Sequence, residues 1–177
     1  MSRAARVVVV CTGNAARSVM AGYFLGHLAE CDGRPLELRT AGTHALEGQP
    51  MGMRTRDAML GLGDLDHLPL SKHRSHQLTE EDVAWADLVV VMEADHLRYV
   101  RRVHPAGAPR TATMVRVAAT LPSDDRPLPA RIASLDLAAV DAEGEVEVPD
   151  PAGGDAATYD RCARALFALS TSLVERL

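Results

Sequence analysis

Four consecutive valines, Val7 to Val10, run into Cys11 and give way at once to the turn "TGNAARS", whose last two residues open a helical pattern. A short β-branched run without polar alternation, followed by a turn, is the signature of a strand buried on both faces, which occurs in parallel sheets covered by helices. The rest of the chain repeats the theme. "DLVVVM", Asp87 to Met92, is a second buried run, "LELRT" leading to Gly42 a shorter strand, and "TATMVRVAA" reads as another. Between them, Val19, Met20, Tyr23, Phe24, His27 and Leu28 form one helical stripe at spacings of three and four. "MGMRTRDAMLGLG" from Met51 is helical with a glycine stop, and "LTEEDVAWA" starts on a Thr79 cap with an acidic first turn. A helix is expected from Glu93 to about Val103, and the stripe Cys162, Leu166, Leu169, Leu173 and Leu177 makes the last segment amphipathic. Strands alternating with helices define an α/β class with a doubly wound, four-stranded parallel sheet and helices on both faces.

The chain of 177 residues, 47% of them apolar, suffices for one domain, taken as 1–177. Its least regular part is a long excursion over 121–149 that contains Pro122, Pro127, Pro129 and Pro149, the patch "IASLDLAAV" and the acidic run "DAEGEVEV". A lid, a partner surface and a solvated insertion are all open readings of it. Arg98, Arg101 and Arg102 read as a solvated charged face. No apolar run is long enough for a signal-peptide core or a membrane span, so the expected location is the cytoplasm, with no membrane insertion. Three widely spaced cysteines, Cys11, Cys31 and Cys162, fit reduced thiols rather than a disulfide framework, the last two as core residues. A net charge of −5 and six aromatic residues argue against a nucleic-acid surface. An anionic partner must therefore be caught by a local positive site.

The turn after the first strand is such a site. In parallel sheets ligands bind at the carboxyl ends of strands, and the first strand-to-helix turn presents backbone N–H groups and a helix N-terminus to a phosphate. Cys11 stands at its mouth, where amide donors, the helix dipole and Arg17 favour the nucleophilic thiolate. The planar fork of Arg17 can hold two equatorial phosphoryl oxygens during in-line attack by sulfur. The Ser18 hydroxyl can donate to the thiolate and help it leave. Gly13 allows close approach of an anion, and Asn14 tolerates a left-handed backbone. Farther on, "VPDPAGGDAATYD" places Asp150 before a proline in a rigid turn, where it can serve as the general acid.

Together these residues resemble the low-molecular-weight protein tyrosine phosphatase family over most of the chain. "CTGNAARS" is similar to that family's phosphate-binding loop, "TAGTHALEGQP" to its second-strand segment, "SKHRSHQLTEEDVAWADLVVVMEADH" to its stretch through the third strand, and "DPAGGDAATY" to its general-acid loop. The resemblance implies Cys11 as nucleophile, Arg17 as phosphate clamp and Asp150 as acid, in a hydrolase that works without cofactor or metal. It also implies loop bracing by Asn14, Ser18, Thr40 and His73. His73 and His76 lack a third ligand at useful spacing.

The departures bear on substrate choice. Ala16 replaces the family's second loop cysteine, which removes the partner for a protective disulfide and leaves Cys11 open to irreversible oxidation. Val19 and Gly22 stand where the family has Pro and Glu. The resemblance implies pocket walls at Thr12, Ala15, Leu46 and Ala152, with no aromatic residue to grip a phenol ring; each lost stacking contact is worth about 0.5–1.5 kcal/mol. The protein arginine phosphatases tend to carry Thr where Ala15 sits. The expected activity is a phosphomonoesterase with a phosphocysteine intermediate, acting on phosphotyrosyl protein. The alternatives are a bulkier phosphorylated metabolite as substrate, an arsenate reductase using an external thiol, and a catalytically weak phosphate-binding protein. Oligomeric state is not legible in the sequence.

Overall fold

The computed structural model describes residues 3–177, and among them four strands form one sheet in the order β2-β1-β3-β4, every neighbouring pair parallel. The strands are β1 (Ala5–Cys11), β2 (Leu36–Gly42), β3 (Leu88–Val91) and β4 (Thr111–Thr113). Seven α-helices accompany them: α1 (Arg17–Cys31), α2 (Met53–Leu60), α3 (Glu80–Trp85), α4 (Ala94–Val103), α5 (Met114–Thr120), α6 (Leu128–Ala133) and α7 (Ala156–Val174).

Alternation along β1 sorts the core into two layers. Val7, Val9 and Cys11 join Leu88, Val90 and Met92 in packing against Met20 and Phe24 of α1, Met59 of α2, Val117 of α5 and Leu166 of α7. Val8 and Val10, with Val89 and Val91, pack against Val83 of α3 and Leu97 and Val100 of α4. All four valines of β1 are fully buried, because the sheet is covered on both sides. Thr79 caps α3 as a capping box, its hydroxyl accepting from Asp82 N–H while the Asp82 carboxylate takes the Thr79 N–H.

Four expectations change. "TATMVRVAA" is not one strand: it pairs with β3 only from Thr111 to Thr113, and the Thr113 hydroxyl then caps α5. The β-branched spelling of this segment conceals a helix start, and the cap decides. The segment 121–149 is no free-standing insertion. It contributes α6 and two single 3₁₀ turns, and it buries Ile132, Leu137, Ala142 and Val148 against the body of the fold. Arg101, read as part of a solvated face, reaches into that segment and donates to the carbonyls of Leu137 and Val140. Cys31 is exposed rather than a core thiol, whereas Cys162 is buried, with its thiol pushed up to about 11 by burial. No described helix is long and apolar enough to cross a membrane.

Candidate active site

The site lies at the carboxyl end of β1, beside β3, where the loop from Thr12 to Ala16 turns the chain into α1. Two features make it possible. Asn14 takes the left-handed conformation at φ 51°, which closes the turn, and Ala16 offers α1 no side-chain cap, so the first N–H groups of the helix remain available to an anion. The end of β2 clasps the loop from one side, with the N–H groups of Thr43 and His44 donating to the carbonyls of Cys11 and Thr12 at 2.9 Å each. From α2, the Thr55 hydroxyl donates to the Ala15 carbonyl at 3.1 Å.

Inside this frame the Cys11 sulfur lies 3.0 Å from Ser18 Oγ. The Asn14 amide donates to the same Ser18 oxygen at 2.8 Å, which leaves the serine proton free to point at sulfur. Asn14 is held twice more. Its carbonyl accepts from His73 Nε2 at 2.9 Å, and its side-chain oxygen accepts the His76 N–H at 2.9 Å. Burial lowers the pKa of His73 against the opposing pull of the Asn14 carbonyl. The expected bracing role of Thr40 is not realised. Among the described residues no hydrogen bond joins it to Asn14, Ser18 or His73, and its methyl group packs where a Cβ on Gly22 would stand, 2.5 Å away.

Arg17 is 1% exposed and its guanidinium is hydrogen-bonded on both terminal nitrogens. Nη1 donates to Glu93 at 2.5 Å and to the Val148 carbonyl at 3.0 Å, and Nη2 donates to Asp150 at 2.9 Å. Asp150 is fixed in turn by the Ala152 N–H, 3.0 Å from its second oxygen. The loop that carries Asp150 is pinned beyond that point by Arg54 of α2, which donates to the Gly154 carbonyl at 2.7 Å. Behind the loop, His96 is buried; desolvation first, then the nearby Arg17, lowers its pKa to about 4.

The walls are open. Ala15 and Ala152 are exposed, Leu46 is 76% exposed with its carbonyl taken by the Ser75 hydroxyl, and Gly13, Thr12 and Ala16 are half-buried. His76 lies between Glu47 and Asp82, and no described cluster of three His, Cys, Asp or Glu side chains could hold a metal ion.

The structure thus gathers Cys11, Arg17, Ser18 and Asp150 around one loop. Glu93, His96, Thr55 and the Val148 carbonyl join them without having been singled out from sequence. A signal for Glu93 existed, since it follows the buried strand β3 next to β1, and the strand-end rule applied to Cys11 applies there too.

Comparison with known proteins agrees with this geometry. A family model described as low molecular weight phosphotyrosine protein phosphatase matches residues 6–122. A low molecular weight protein-tyrosine-phosphatase of Streptomyces coelicolor is 34% identical over 178 aligned positions, covering 96% of this chain and 91% of its own length. A protein-arginine-phosphatase of Bacillus subtilis is 37% identical over 94 positions, 53% of this chain and 59% of its own. The crystal structure of a low molecular weight protein tyrosine phosphatase from T. tengcongensis superposes with a TM-score of 0.79 at 28% identity, covering 98% of this chain and 100% of that one. The phosphate-shaped loop on a four-stranded parallel sheet, the matched family model and the full-length relative make this chain a member of the low molecular weight phosphotyrosine protein phosphatase family, and so a hydrolase of the phosphatase class.

Proposed function

We propose that the protein hydrolyses phosphomonoesters through a phosphocysteine, with phosphotyrosyl protein as the favoured substrate. The observation that carries this reading is the placement of Arg17 between Asp150 and the loop that begins at Cys11. Sulfur attacks phosphorus and a P–S bond forms as the P–O bond to the leaving group breaks, while Asp150 delivers a proton to the departing oxygen. Water then attacks the phosphocysteine, Asp150 takes its proton, and the thiolate leaves with help from the Ser18 hydroxyl. Arg17 and the loop N–H groups hold the equatorial oxygens throughout.

Tyrosine is preferred over arginine as the phosphorylated residue because the relative aligned along 96% of this chain is a tyrosine phosphatase, whereas the arginine phosphatase aligns along 53%. The open walls at Leu46 and Ala152 favour a second reading, in which a bulkier phosphorylated metabolite is the substrate.

The test is steady-state hydrolysis of p-nitrophenyl phosphate with chelator present, for the wild type beside Cys11→Ser. Activity that disappears in the variant supports the thiolate mechanism. Activity that survives the substitution, or a wild type without turnover, overturns it. Phosphotyrosyl and phosphoarginyl peptides compared at equal concentration then decide the substrate.

A further inference from the structure

Thr12 follows the nucleophile directly, and its hydroxyl is more tightly constrained than a pocket wall needs to be. Thr12 Oγ1 lies 2.9 Å from His96 Nε2 and 3.5 Å from Arg17 Nη2. The direction of the first contact follows from the other side of the imidazole ring. His96 Nδ1 faces two backbone N–H groups, those of Met92 at 3.3 Å and Glu93 at 3.2 Å. Both can only donate, so Nδ1 is the bare nitrogen and Nε2 carries the proton of a neutral ring. Burial, reinforced by the charge of Arg17, keeps the ring neutral down to about pH 4.

His96 Nε2 therefore donates to Thr12 at 2.9 Å, the nearer of its two acceptors, with Glu93 Oε2 at 3.5 Å, and the guanidinium of Arg17 can only donate to the same hydroxyl. Two donors occupy the two lone pairs of the hydroxyl. Its own proton remains, and among the described residues no protein atom accepts it. The guanidinium nitrogen that approaches Thr12 is the one that holds Asp150, so hydroxyl and carboxylate flank one atom.

On the phosphatase reading given above, we propose that Thr12 is a catalytic residue that donates a hydrogen bond to the oxygen exchanged at phosphorus, and that His96 is the positioning residue that makes it an obligate donor. Thr12 keeps its proton in both steps. Asp150 supplies the proton to the leaving oxygen and removes one from the attacking water, while the Thr12 hydroxyl stabilises the negative charge that this oxygen carries as its bond to phosphorus breaks or forms. A hydroxyl free to accept as well as donate would lose part of that preference; His96 removes the choice in advance of the reaction.

The experiment compares wild type, Thr12→Val, Thr12→Ser, His96→Phe and His96→Gln on phenyl phosphate and p-nitrophenyl phosphate, with inorganic phosphate as competitive inhibitor. Thr12→Val is expected to lower kcat/KM for phenyl phosphate by about tenfold, less than a fully enclosed oxyanion donor because the site is open. The loss should be smaller with p-nitrophenyl phosphate, whose leaving group delocalises its own charge, and phosphate inhibition should change by less than about threefold. Thr12→Ser should restore activity, His96→Phe should reproduce the valine variant without adding to it, and His96→Gln, which retains an acceptor and a donor, should recover part of the loss. An active wild type with Thr12→Val within about twofold on both esters overturns the proposal alone, as does an equal loss of turnover and phosphate affinity, which would make Thr12 part of the anion cradle. A wild type that leaves both esters intact overturns the phosphatase reading and this one with it.

Discussion

The Asp150 carboxylate lies 2.9 Å from Nη2 of Arg17, so the group assigned to proton transfer also sits on the cation assigned to the phosphoryl oxygens. An incoming phosphate meets a like charge at that point. Asp150→Ala is expected to lower turnover of phosphotyrosine by roughly 10²–10⁴, the range of a lost general acid, and to tighten inhibition by inorganic phosphate several-fold as about 1 kcal/mol of repulsion is removed. Steady-state kinetics with phosphate as competitor reads both effects, and they should move in opposite directions.

Glu93 holds the other side of the same guanidinium at 2.5 Å while remaining 25% exposed. Glu93→Ala leaves Arg17 buried with Asp150, the Val148 carbonyl and the more distant Thr12 hydroxyl as its remaining partners. A cost of roughly 2 kcal/mol is expected, below the 3–5 kcal/mol of a fully orphaned buried ion. Turnover should fall about tenfold or more as the fork loses its orientation. Glu93→Gln, which keeps the hydrogen bond, should recover most of the stability in urea unfolding.

Gly42 ends β2 beneath the loop. A Cβ there would lie 2.4 Å from the Thr12 carbonyl and 2.9 Å from the Asn14 nitrogen, both backbone atoms of the loop itself. Gly42→Ala is expected to destabilise the protein by about 1–3 kcal/mol and to abolish most of the activity, since the loop has to shift to admit it. Gly144→Ala, where a Cβ meets nothing within 4 Å, is the control and should change neither by more than about 0.5 kcal/mol.

His96 makes stability depend on pH. Burial is the main reason its ring resists protonation, aided by Arg17 and His44 and opposed by Asp150 and Asp95. Below about pH 6.5 the unfolded chain takes up a proton on this residue that the folded chain refuses until about pH 4. Across that window the unfolded state binds more protons, so stability falls as pH falls, by about 3 kcal/mol in all from this group. Above about pH 6.5 its contribution is full and constant. Urea midpoints measured from pH 7.5 to 4 should show a steeper loss for the wild type than for His96→Gln.

The parallel sheet covered by helices on both faces was legible because β1 and β3 spell burial on both faces in an uninterrupted code, and the loop was legible because Cys11, Asn14 and Arg17 fall within seven residues of one another. Local chemistry of that kind needs no knowledge of tertiary contacts. What was not legible arrives from a distance. His96 takes its role from the pairing of β3 beside β1, and the Val148 carbonyl reaches Arg17 across 131 residues of sequence. Thr113 shows the converse, a residue whose β-branched type argues for strand continuation while its hydroxyl starts a helix. Thr40 shows that a retained hydroxyl does not fix its use, because rotation of one bond can turn its methyl group to the helix instead.

Val148 donates its own N–H to the Met92 carbonyl at 3.0 Å, and six residues later Arg54 holds the Gly154 carbonyl. Asp150 is hung between these two moorings as a span is hung between piers. Changes confined to the exposed turn 123–127, upstream of the buried Ile132 and Leu137, end at the first pier and leave Asp150 where it is. The enzyme can thus vary one of its most irregular stretches, and whatever surface that stretch offers to other molecules, without retuning its chemistry.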